Sequence, residues 1–366
     1  MTMPDLRVED IRRVVVRGTN WVGDAVMTVP ALRELRRLLP GAHLTLATRP
    51  WAKGLFADAD FADNLLISDR RGLGSVVSQI AAWRKSRFDL AVVFPNAFEA
   101  ALIPALARVP FRIGYATDGR SALLTNPLPL PEWRSSKHEI FYYLNIVGEL
   151  EQLLTGKQTV MEKQPDAILR ISEARQTDGL ALLRALGIRD NRPLVALCPG
   201  SINSRAKRWP AERYAAFADS LIEKLNAEVV LIGSPDELDV SLEVSSGTRN
   251  KLILLTGKTD LAQVAAILSC VDLLVTNDTG PAHLAAALGR PTLVIFGPTN
   301  PLTTRPFSSV AELVRHPPEC APCMLRDCPI DHRCMTAISP EEVFARAHVM
   351  LGRKSSTKET QRHSAA

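Results

Sequence analysis

The chain has 366 residues, of which 46% are hydrophobic and 23% are charged. This length suits two domains of about 150 to 200 residues each, and the composition excludes a disordered or fibrous protein. The net charge of +5 falls short of the concentrated positive charge of nucleic-acid-binding proteins, so we expect no nucleic-acid partner. No run approaches the ~18 apolar residues of a membrane-spanning helix. Residues 1–10 contain acids and no apolar stretch, so we expect a cytoplasmic protein without a secretory signal.

The first half of the chain alternates between two patterns. Short apolar runs predict buried strands, and apolar residues that recur every three or four positions predict helices. The predicted strands are 12–17, 43–47, 64–67 and 89–94, and the predicted helices are 25–39 and 73–84. This alternation indicates a parallel sheet with helices on both faces.

The alternation weakens over residues 152–190 and then begins again. The later predicted strands are 194–198, 228–232, 252–255, 273–276 and 292–296, and the helices are 175–186, 211–225, 238–246, 261–268 and 282–288. We expect an N-terminal domain over 1–170, a C-terminal domain over 171–352, and a polar, disordered tail over 353–366. The predicted fold class is α/β, with two Rossmann-like doubly wound domains and a cleft between them. Ligands of such sheets bind beyond the carboxyl ends of the strands, so loops that follow strands hold the candidate site residues.

In the first domain the candidate is Asp24, which stands beside Gly23 at the start of a helix, after the first strand. The loop lacks the G-x-G-x-x-G order, so we expect no dinucleotide site there. Asp24 has two interpretations. It either stabilises the helix N-terminus or acts as a general base that deprotonates a sugar hydroxyl.

The second domain has a glycine-containing loop after its first strand. Gly200 and Ser201 allow backbone N–H groups to approach an anion, and Lys207 adds a positive charge before the next helix. The order differs from a Walker loop. The alternative interpretation is a basic surface turn.

Another candidate anion site follows the strand predicted at 273–276. Asp278 is placed to cap a helix that begins at Pro281. That arrangement leaves the N–H groups of Thr279 and Gly280 available to a diphosphate, with His283 in the first helical turn.

Two further loops lie on the same edge of this sheet. Asp236 and Glu237 follow the strand at 228–232, where an acid commonly accepts ribose hydroxyl groups; the alternative is that either residue caps the next helix. The loop at 296–301 follows the last predicted strand. Convergence of four loops on one edge predicts a nucleotide diphosphate site.

Four cysteines cluster after the last predicted strand, at Cys320, Cys323, Cys328 and Cys334. Their spacing is compatible with tetrahedral zinc or an iron–sulfur cluster. The alternative is a set of reduced or partly bridged thiols that brace a loop with little secondary structure.

These motifs together resemble glycosyltransferase family 9, the bacterial heptosyltransferases of lipopolysaccharide core synthesis, and most closely its heptosyltransferase II branch. The resemblance covers nearly everything from Arg13 to about Leu351. The segments that carry it are 21–24, 49–52, 95–96, 101–104, 112–115, 199–200, 206–210 and 277–283, together with the cysteine-rich segment.

The resemblance implies a GT-B fold, in which two Rossmann-like domains face each other. It implies an inverting transfer of L-glycero-D-manno-heptose from ADP-heptose to the inner-core heptose of nascent lipopolysaccharide. The acceptor would be a lipid A–core oligosaccharide, reached by peripheral contact with the cytoplasmic face of the inner membrane. By the same resemblance no cofactor is required, because fixed protein charge stabilises the diphosphate, and the four cysteines are thiols rather than metal ligands.

The resemblance also implies roles for individual residues. Asp24 corresponds to the family's general base, and Lys207 to the diphosphate contact that offsets leaving-group charge. The donor-binding set is Gly200, Ser201, Lys207, Glu237, Asp278, Thr279, Gly280 and His283. The candidates for binding the anionic acceptor are Asn96, Arg112 and Arg120, although Glu99 stands where relatives more often carry a basic or polar residue.

Two rival functions share some of these features. A sugar-nucleotide 2-epimerase of the same architecture would convert its donor without an acceptor. A non-catalytic nucleotide or metal sensor, built around the cysteine-rich segment, would function without the Asp24 carboxylate.

Overall fold

The computed structural model describes residues 7–68 and 72–363. The chain forms two compact units, Met1–Ala167 (unit 1) and Ile168–Ala366 (unit 2). The boundary therefore lies at 167/168, close to the predicted 170/171. Each unit contains one six-stranded sheet in which all paired strands are parallel.

Unit 1 begins with a buried strand and alternates from there. Its strands are β1 Arg13–Arg17, β2 His43–Thr48, β3 Asn64–Ile67, β4 Leu90–Val93, β5 Phe111–Tyr115 and β6 Asn126–Leu128. Its helices are α1 Val22–Met27, α2 Val29–Leu38, α3 Ala52–Leu55, α4 Gly72–Ser86, α5 Phe98–Leu106 and α6 Glu139–Thr155. The strand order is β3-β2-β1-β4-β5-β6.

The helix predicted at 25–39 is in fact two helices, α1 and α2, which meet at Thr28. Pro30 occupies the first turn of α2, where its missing N–H has no helical partner to lose. A second helix begins there because proline fits a helix start better than a helix interior. Thr28 closes α1 through hydrogen bonds to the carbonyl groups of Asp24 and Ala25.

Unit 2 repeats the alternation. Its strands are β7 Leu194–Cys198, β8 Glu228–Leu231, β9 Ile253–Leu254, β10 Leu273–Asn277, β11 Thr292–Ile295 and β12 Ala311–Val314. Its helices are α7 Glu173–Ala185, α8 Ala211–Leu225, α9 Leu238–Gly247, α10 Leu261–Cys270, α11 Gly280–Ala287, α12 Pro301–Thr304, α13 Arg333–Thr336 and α14 Pro340–His363. The strand order is β12-β11-β10-β7-β8-β9.

The strand order reverses at the same place in both sheets. The first strand of each unit lies beside the fourth, so β1 pairs with β4 and β7 pairs with β10. This is the doubly wound order with a topological switch point, where the loops after two adjacent strands diverge and leave room for a ligand. The topology therefore singles out the loops after β1 and β4, and those after β7 and β10.

Helix α14 continues to His363, into the segment 353–366 that was predicted as a tail; residues 364–366 lie outside the described residues. The first half of α14 packs into the core of unit 2 through Val343, Ala347 and Met350. An anchored helix propagates readily, and no proline or glycine interrupts the sequence after Gly352. Within the described ranges, none of the helices combines the length and apolar character needed to cross a membrane.

Candidate active site

The loops at the switch point of unit 2 are tied together by Asn277, the last residue of β10. Its side chain is fully buried. The amide nitrogen donates to the carbonyl oxygens of Pro199 (2.8 Å) and Gly200 (3.2 Å). The amide oxygen accepts from the Trp209 backbone N–H and the Tyr214 hydroxyl, both at 3.1 Å. Asn277 thus fixes the glycine loop after β7, a role that the candidate set did not contain.

Lys207 and Asp278 form the charged centre of this edge. Lys207 ends a short 3-10 turn after β7, and its Nζ lies 2.8 Å from Asp278 Oδ2 and 3.2 Å from the Asp278 carbonyl oxygen. The Asp278 side chain is 4% exposed and that of Lys207 is 24% exposed. The Thr299 hydroxyl, from the loop after β11, donates to the same Oδ2 at 2.6 Å. One carboxylate therefore connects three loops.

Asp278 does not cap helix α11, so that prediction was wrong. The N-cap residue is Thr279, and Asp278 directs its carboxylate to Lys207 and Thr299 instead. Two donors, the Lys207 ammonium and the Thr299 hydroxyl, meet at Oδ2 and so direct the carboxylate away from the helix end.

Helix α11 itself begins at Gly280, immediately beyond this ion pair, with His283 buried in its first turn. The first N–H groups of any helix have no acceptor within the helix, and the dipole makes that end favourable for an anion. Thr279, Gly280 and His283 therefore lie within one helical turn of the Lys207–Asp278 pair. The residues predicted as a diphosphate site are brought together in unit 2.

Glu237 lies directly against Gly200. A Cβ atom at position 200 would be 2.3 Å from Glu237 Oε1, so only glycine fits there without displacing the carboxylate. Glu237 Oε2 accepts from the backbone N–H (2.8 Å) and hydroxyl (2.9 Å) of Ser234, which is a capping box. Asp236 is exposed and Glu237 is buried. Glu237 is therefore the acid that faces the glycine loop, and one of its oxygens also forms the capping box with Ser234.

Ser201 is buried as well, and its carbonyl oxygen accepts from Arg208 at 3.0 and 3.2 Å. This contact closes the loop that carries Gly200 and Lys207.

The turn that carries Lys207 is held from outside the sheet by residues 324–332, which we name the brace. The Ala206 N–H donates to the Arg326 carbonyl (2.9 Å), and His332 Nε2 lies 2.6 Å from the Ala206 carbonyl oxygen. The Ser204 hydroxyl lies 3.2 Å from the carbonyl oxygens of Leu325 and Arg326. The brace therefore fixes the backbone directly before Lys207.

The four cysteines of this region are free thiols. Burial and the neighbouring thiols of Cys323, Cys328 and Cys320 raise the pKa of Cys334 to about 11. Among the described residues, no group of three or more His, Cys, Asp or Glu side chains is arranged so that it could hold a metal ion.

In unit 1 the loops at the switch point hold Asp24 and Asn96. Asp24 lies in the first turn of α1, half-buried, after the exposed N-cap residue Trp21. The pKa of the buried Tyr143 is raised well above its usual value by burial and further by the negative charge of Asp24. Asn96 follows β4 and accepts from the Tyr142 hydroxyl at 2.9 Å. A partly exposed carboxylate thus stands beside an aromatic, low-dielectric wall.

Arg112 and Arg120, predicted to bind an anionic acceptor, donate to backbone carbonyl groups of unit 1. The Arg120 side chain is 0% exposed, and its guanidinium donates to the carbonyl oxygens of Tyr115 (2.8 Å) and Pro95. Arg112 donates to the Leu123 carbonyl at 2.7 Å and lies near the amino end of β5, away from the edge where ligands bind. Burial lowers the pKa of both guanidinium groups. Each arginine satisfies backbone carbonyl groups and so stabilises the fold.

The chain was compared with known proteins. The family model described as Glycosyltransferase family 9 (heptosyltransferase) matches residues 77–333, which include the whole Lys207–Asp278 region. The chain is 30% identical to lipooligosaccharide heptosyltransferase 2 of Haemophilus ducreyi over 318 residues, covering 83% of this chain and 88% of that protein. It is 29% identical to lipopolysaccharide heptosyltransferase 2 of Salmonella typhimurium over 319 residues, with the same coverage.

A solved structure, that of the Escherichia coli ADP-heptose lipopolysaccharide heptosyltransferase II, superimposes with a TM-score of 0.80 at 25% identity. The match covers 94% of this chain and 99% of that chain. The predicted GT-B class of two Rossmann-like units is confirmed, and the epimerase alternative is not favoured. The chain therefore belongs to glycosyltransferase family 9 and is a glycosyltransferase.

Proposed function

We propose that this enzyme transfers L-glycero-D-manno-heptose from ADP-heptose to the inner-core heptose of nascent lipopolysaccharide, with inversion at the anomeric carbon. The observation that carries the proposal is the edge of unit 2, where the Lys207 ammonium is held against Asp278 beside the start of α11. The relatives named heptosyltransferase 2 support the choice of sugar and acceptor.

The donor is held by unit 2 in this proposal. The diphosphate lies against the Lys207 ammonium and the first N–H groups of α11, at Thr279 and Gly280. Glu237 accepts the ribose hydroxyl groups through its oxygen beside Gly200, where the missing Cβ leaves space. Ser201 and His283 complete the lining.

The transfer is a single displacement. The Asp24 carboxylate takes the proton of the acceptor hydroxyl as its oxygen forms a bond to the anomeric carbon. The bond from that carbon to the diphosphate oxygen breaks, and ADP leaves with the electron pair. Lys207 and the α11 N-terminus stabilise the charge that develops on the leaving oxygen, so fixed protein charge does the work that a divalent cation does elsewhere.

The acceptor is held by unit 1 in this proposal, with Asn96 as one contact. Arg112 and Arg120 are left out, because their guanidinium groups are used within the fold. Since the acceptor is attached to lipid A, the enzyme works in the cytoplasm, in peripheral contact with the inner membrane.

The test is an assay of purified protein with ADP-heptose and a series of defined, truncated core acceptors, read by product mass. We expect one heptose to be added to acceptors that end in the inner-core heptose, and ADP to be released in equal amount. Conversion of the donor in the absence of acceptor would indicate the epimerase instead. Donor binding without any turnover would indicate the sensor.

A further inference from the structure

The Asp278 carboxylate receives two donors on one oxygen, and only one of them belongs to the predicted donor site. Oδ2 lies 2.8 Å from Lys207 Nζ and 2.6 Å from the Thr299 hydroxyl oxygen. The three residues come from the loops after β7, β10 and β11, and Asp278 and Thr299 are both buried. Thr299 begins no helix and its hydroxyl caps none, since Asn300 is the N-cap of α12. Its hydroxyl is therefore directed at Asp278.

Burying a carboxylate has a large free-energy penalty unless its oxygens accept hydrogen bonds from nearby donors. The Lys207 side chain has a flexible four-carbon stem, so the position of its ammonium group depends on where the carboxylate points. A short hydroxyl–carboxylate bond fixes that direction, and it also draws negative charge away from the ammonium. The carboxylate then offsets less of the positive charge of the ammonium group, which attracts a second anion more strongly.

We propose that Thr299 is a positioning residue for Lys207: through Asp278, it holds the ammonium group where the donor diphosphate binds. This inference rests on the proposed function for the identity of the anion. In this proposal Thr299 acts on Asp278, to which its hydroxyl donates, and not on the substrate. Its effect on the reaction therefore passes entirely through Lys207.

A double-mutant cycle tests this dependence. Thr299→Val keeps the shape of the side chain and removes the hydroxyl, and we expect kcat to fall about tenfold and KM for ADP-heptose to rise by up to about fivefold. Thr299→Ser keeps the hydroxyl and should recover most of the lost rate. Lys207→Met should lower kcat about a hundredfold or more. Thr299→Val added to Lys207→Met should then cause no further loss, because the residue through which it acts is gone.

The matched control is Thr303→Val, which removes another buried hydroxyl four positions along, bonded to the Asn300 carbonyl rather than to Asp278. It should leave kcat near that of the wild type. Additive losses in the double variant, or an unchanged kcat in Thr299→Val, would overturn the inference. A merely structural role of Thr299 would produce the additive result.

Measuring the ADP affinity of the same variants tests this inference separately from the proposed function. Calorimetric titration with ADP should show weaker binding for Thr299→Val, by about fivefold, and no further weakening when the change is made in Lys207→Met. A wild-type protein that binds ADP but transfers no heptose would contradict the proposed function alone. Additive effects on ADP affinity would contradict the positioning role alone.

Discussion

The two units contain the same sheet order, yet the edges at their switch points are built differently. In unit 2, Asn277 and Asp278 join the loops after β7, β10 and β11 through buried hydrogen bonds. In unit 1, the contacts at the corresponding edge are of other kinds: Arg120 donates to the carbonyl oxygen of Tyr115, and the Tyr142 hydroxyl donates to the Asn96 side chain. Asp24 lies half-buried at this edge.

The difference follows from what each edge is proposed to bind. A nucleotide diphosphate is small and identical in every turnover, so its site benefits from groups that are fixed before binding. A large oligosaccharide on a lipid offers many hydroxyl groups to weak contacts spread over a surface. In the sequence, a site for a diphosphate is marked by glycine, lysine and acidic residues in the loops after strands. A site for a large oligosaccharide is marked by little more than the proposed catalytic carboxylate.

The largest expected effect tests the catalytic role of the unit 1 edge. Asp24→Asn removes the general base with almost no change in shape, and kcat should fall about 10³-fold or more. ADP binding, which depends on unit 2, should stay within about twofold of the wild type. The rate is measured as ADP release in the presence of acceptor, and the affinity by calorimetry.

Asp60→Asn serves as the control for this change, because Asp60 is an exposed acid of unit 1 paired with Arg33. Its activity should match that of the wild type. An Asp24→Asn enzyme that keeps a tenth of its rate would show that Asp24 is not the general base.

The next effect tests the preorganised edge of unit 2. Gly200→Ala would place a Cβ 2.3 Å from Glu237 Oε1, so the carboxylate must move. We expect ADP affinity to fall at least about tenfold while the fold persists, because ribose contacts are lost but no core residue changes. Isothermal titration with ADP and a thermal melt measure the two quantities.

Gly352→Ala provides the comparison, since a Cβ there would meet no atom within 4 Å. That variant should bind ADP like the wild type. Unchanged ADP affinity in Gly200→Ala would show that Glu237 does not contact the nucleotide.

A smaller effect tests whether Arg120 acts within the fold or on the acceptor. Arg120→Gln leaves the carbonyl groups of Tyr115 and Pro95 without their donor, and the free energy of unfolding should fall by about 2 kcal/mol. KM for the acceptor should not change, because the side chain is buried. Denaturant unfolding and acceptor titration at a temperature where the variant is folded measure both. A raised acceptor KM with unchanged stability would restore the original prediction.

The smallest effect concerns Glu151, which ties α6 to the rest of unit 1 and has no role in the proposed chemistry. Burial by itself would raise the pKa of Glu151, but hydrogen bonds from Arg37, Val160 and Thr159 outweigh it and lower the pKa to about 2. A carboxylate with a depressed folded pKa stabilises the fold above its ordinary value of 4.5, and this contribution is lost as the pH falls through the folded value.

Glu151→Gln should therefore reduce the free energy of unfolding by about 2 kcal/mol at pH 7. The difference from wild type should shrink as the pH falls from about 4.5 toward about 2. Urea unfolding across this range measures it, with the exposed neighbour Glu162→Gln as control. If the difference in the free energy of unfolding does not vary with pH, Glu151 stabilises the fold through the packing of its side chain rather than through its charge.

Much of the fold could be predicted because its central strands are continuous apolar runs. β1 and β7 were placed within one residue of their observed bounds, since every position after the first is buried on both faces. β5, β6 and β12 were not predicted, because their partly exposed positions break the apolar run. α6 was not predicted either, as buried residues surround much of its circumference and obscure the helical period.

The candidate site was predictable only where residue type and loop position agree. Gly200, Lys207, Glu237 and Asp278 each lie in a loop that follows a strand, and these loops share one edge of the sheet. Thr299 was not predicted, because a threonine in a polar loop carries no signal until the loop is placed beside Asp278. The backbone contacts of Arg112 and Arg120 were not predictable, because a sequence does not distinguish an arginine that faces a ligand from one that faces backbone carbonyl groups.

The brace also sets a lower limit on how short a working donor-binding fragment can be. The sheet of unit 2 is complete at Val314, so a truncated gene product ending there would keep all six strands. It would lose the Arg326 carbonyl and the His332 imidazole that hold Ala206. Any chimaera that exchanges nucleotide specificity between relatives must therefore carry the stretch beyond the last strand together with the lysine turn it supports.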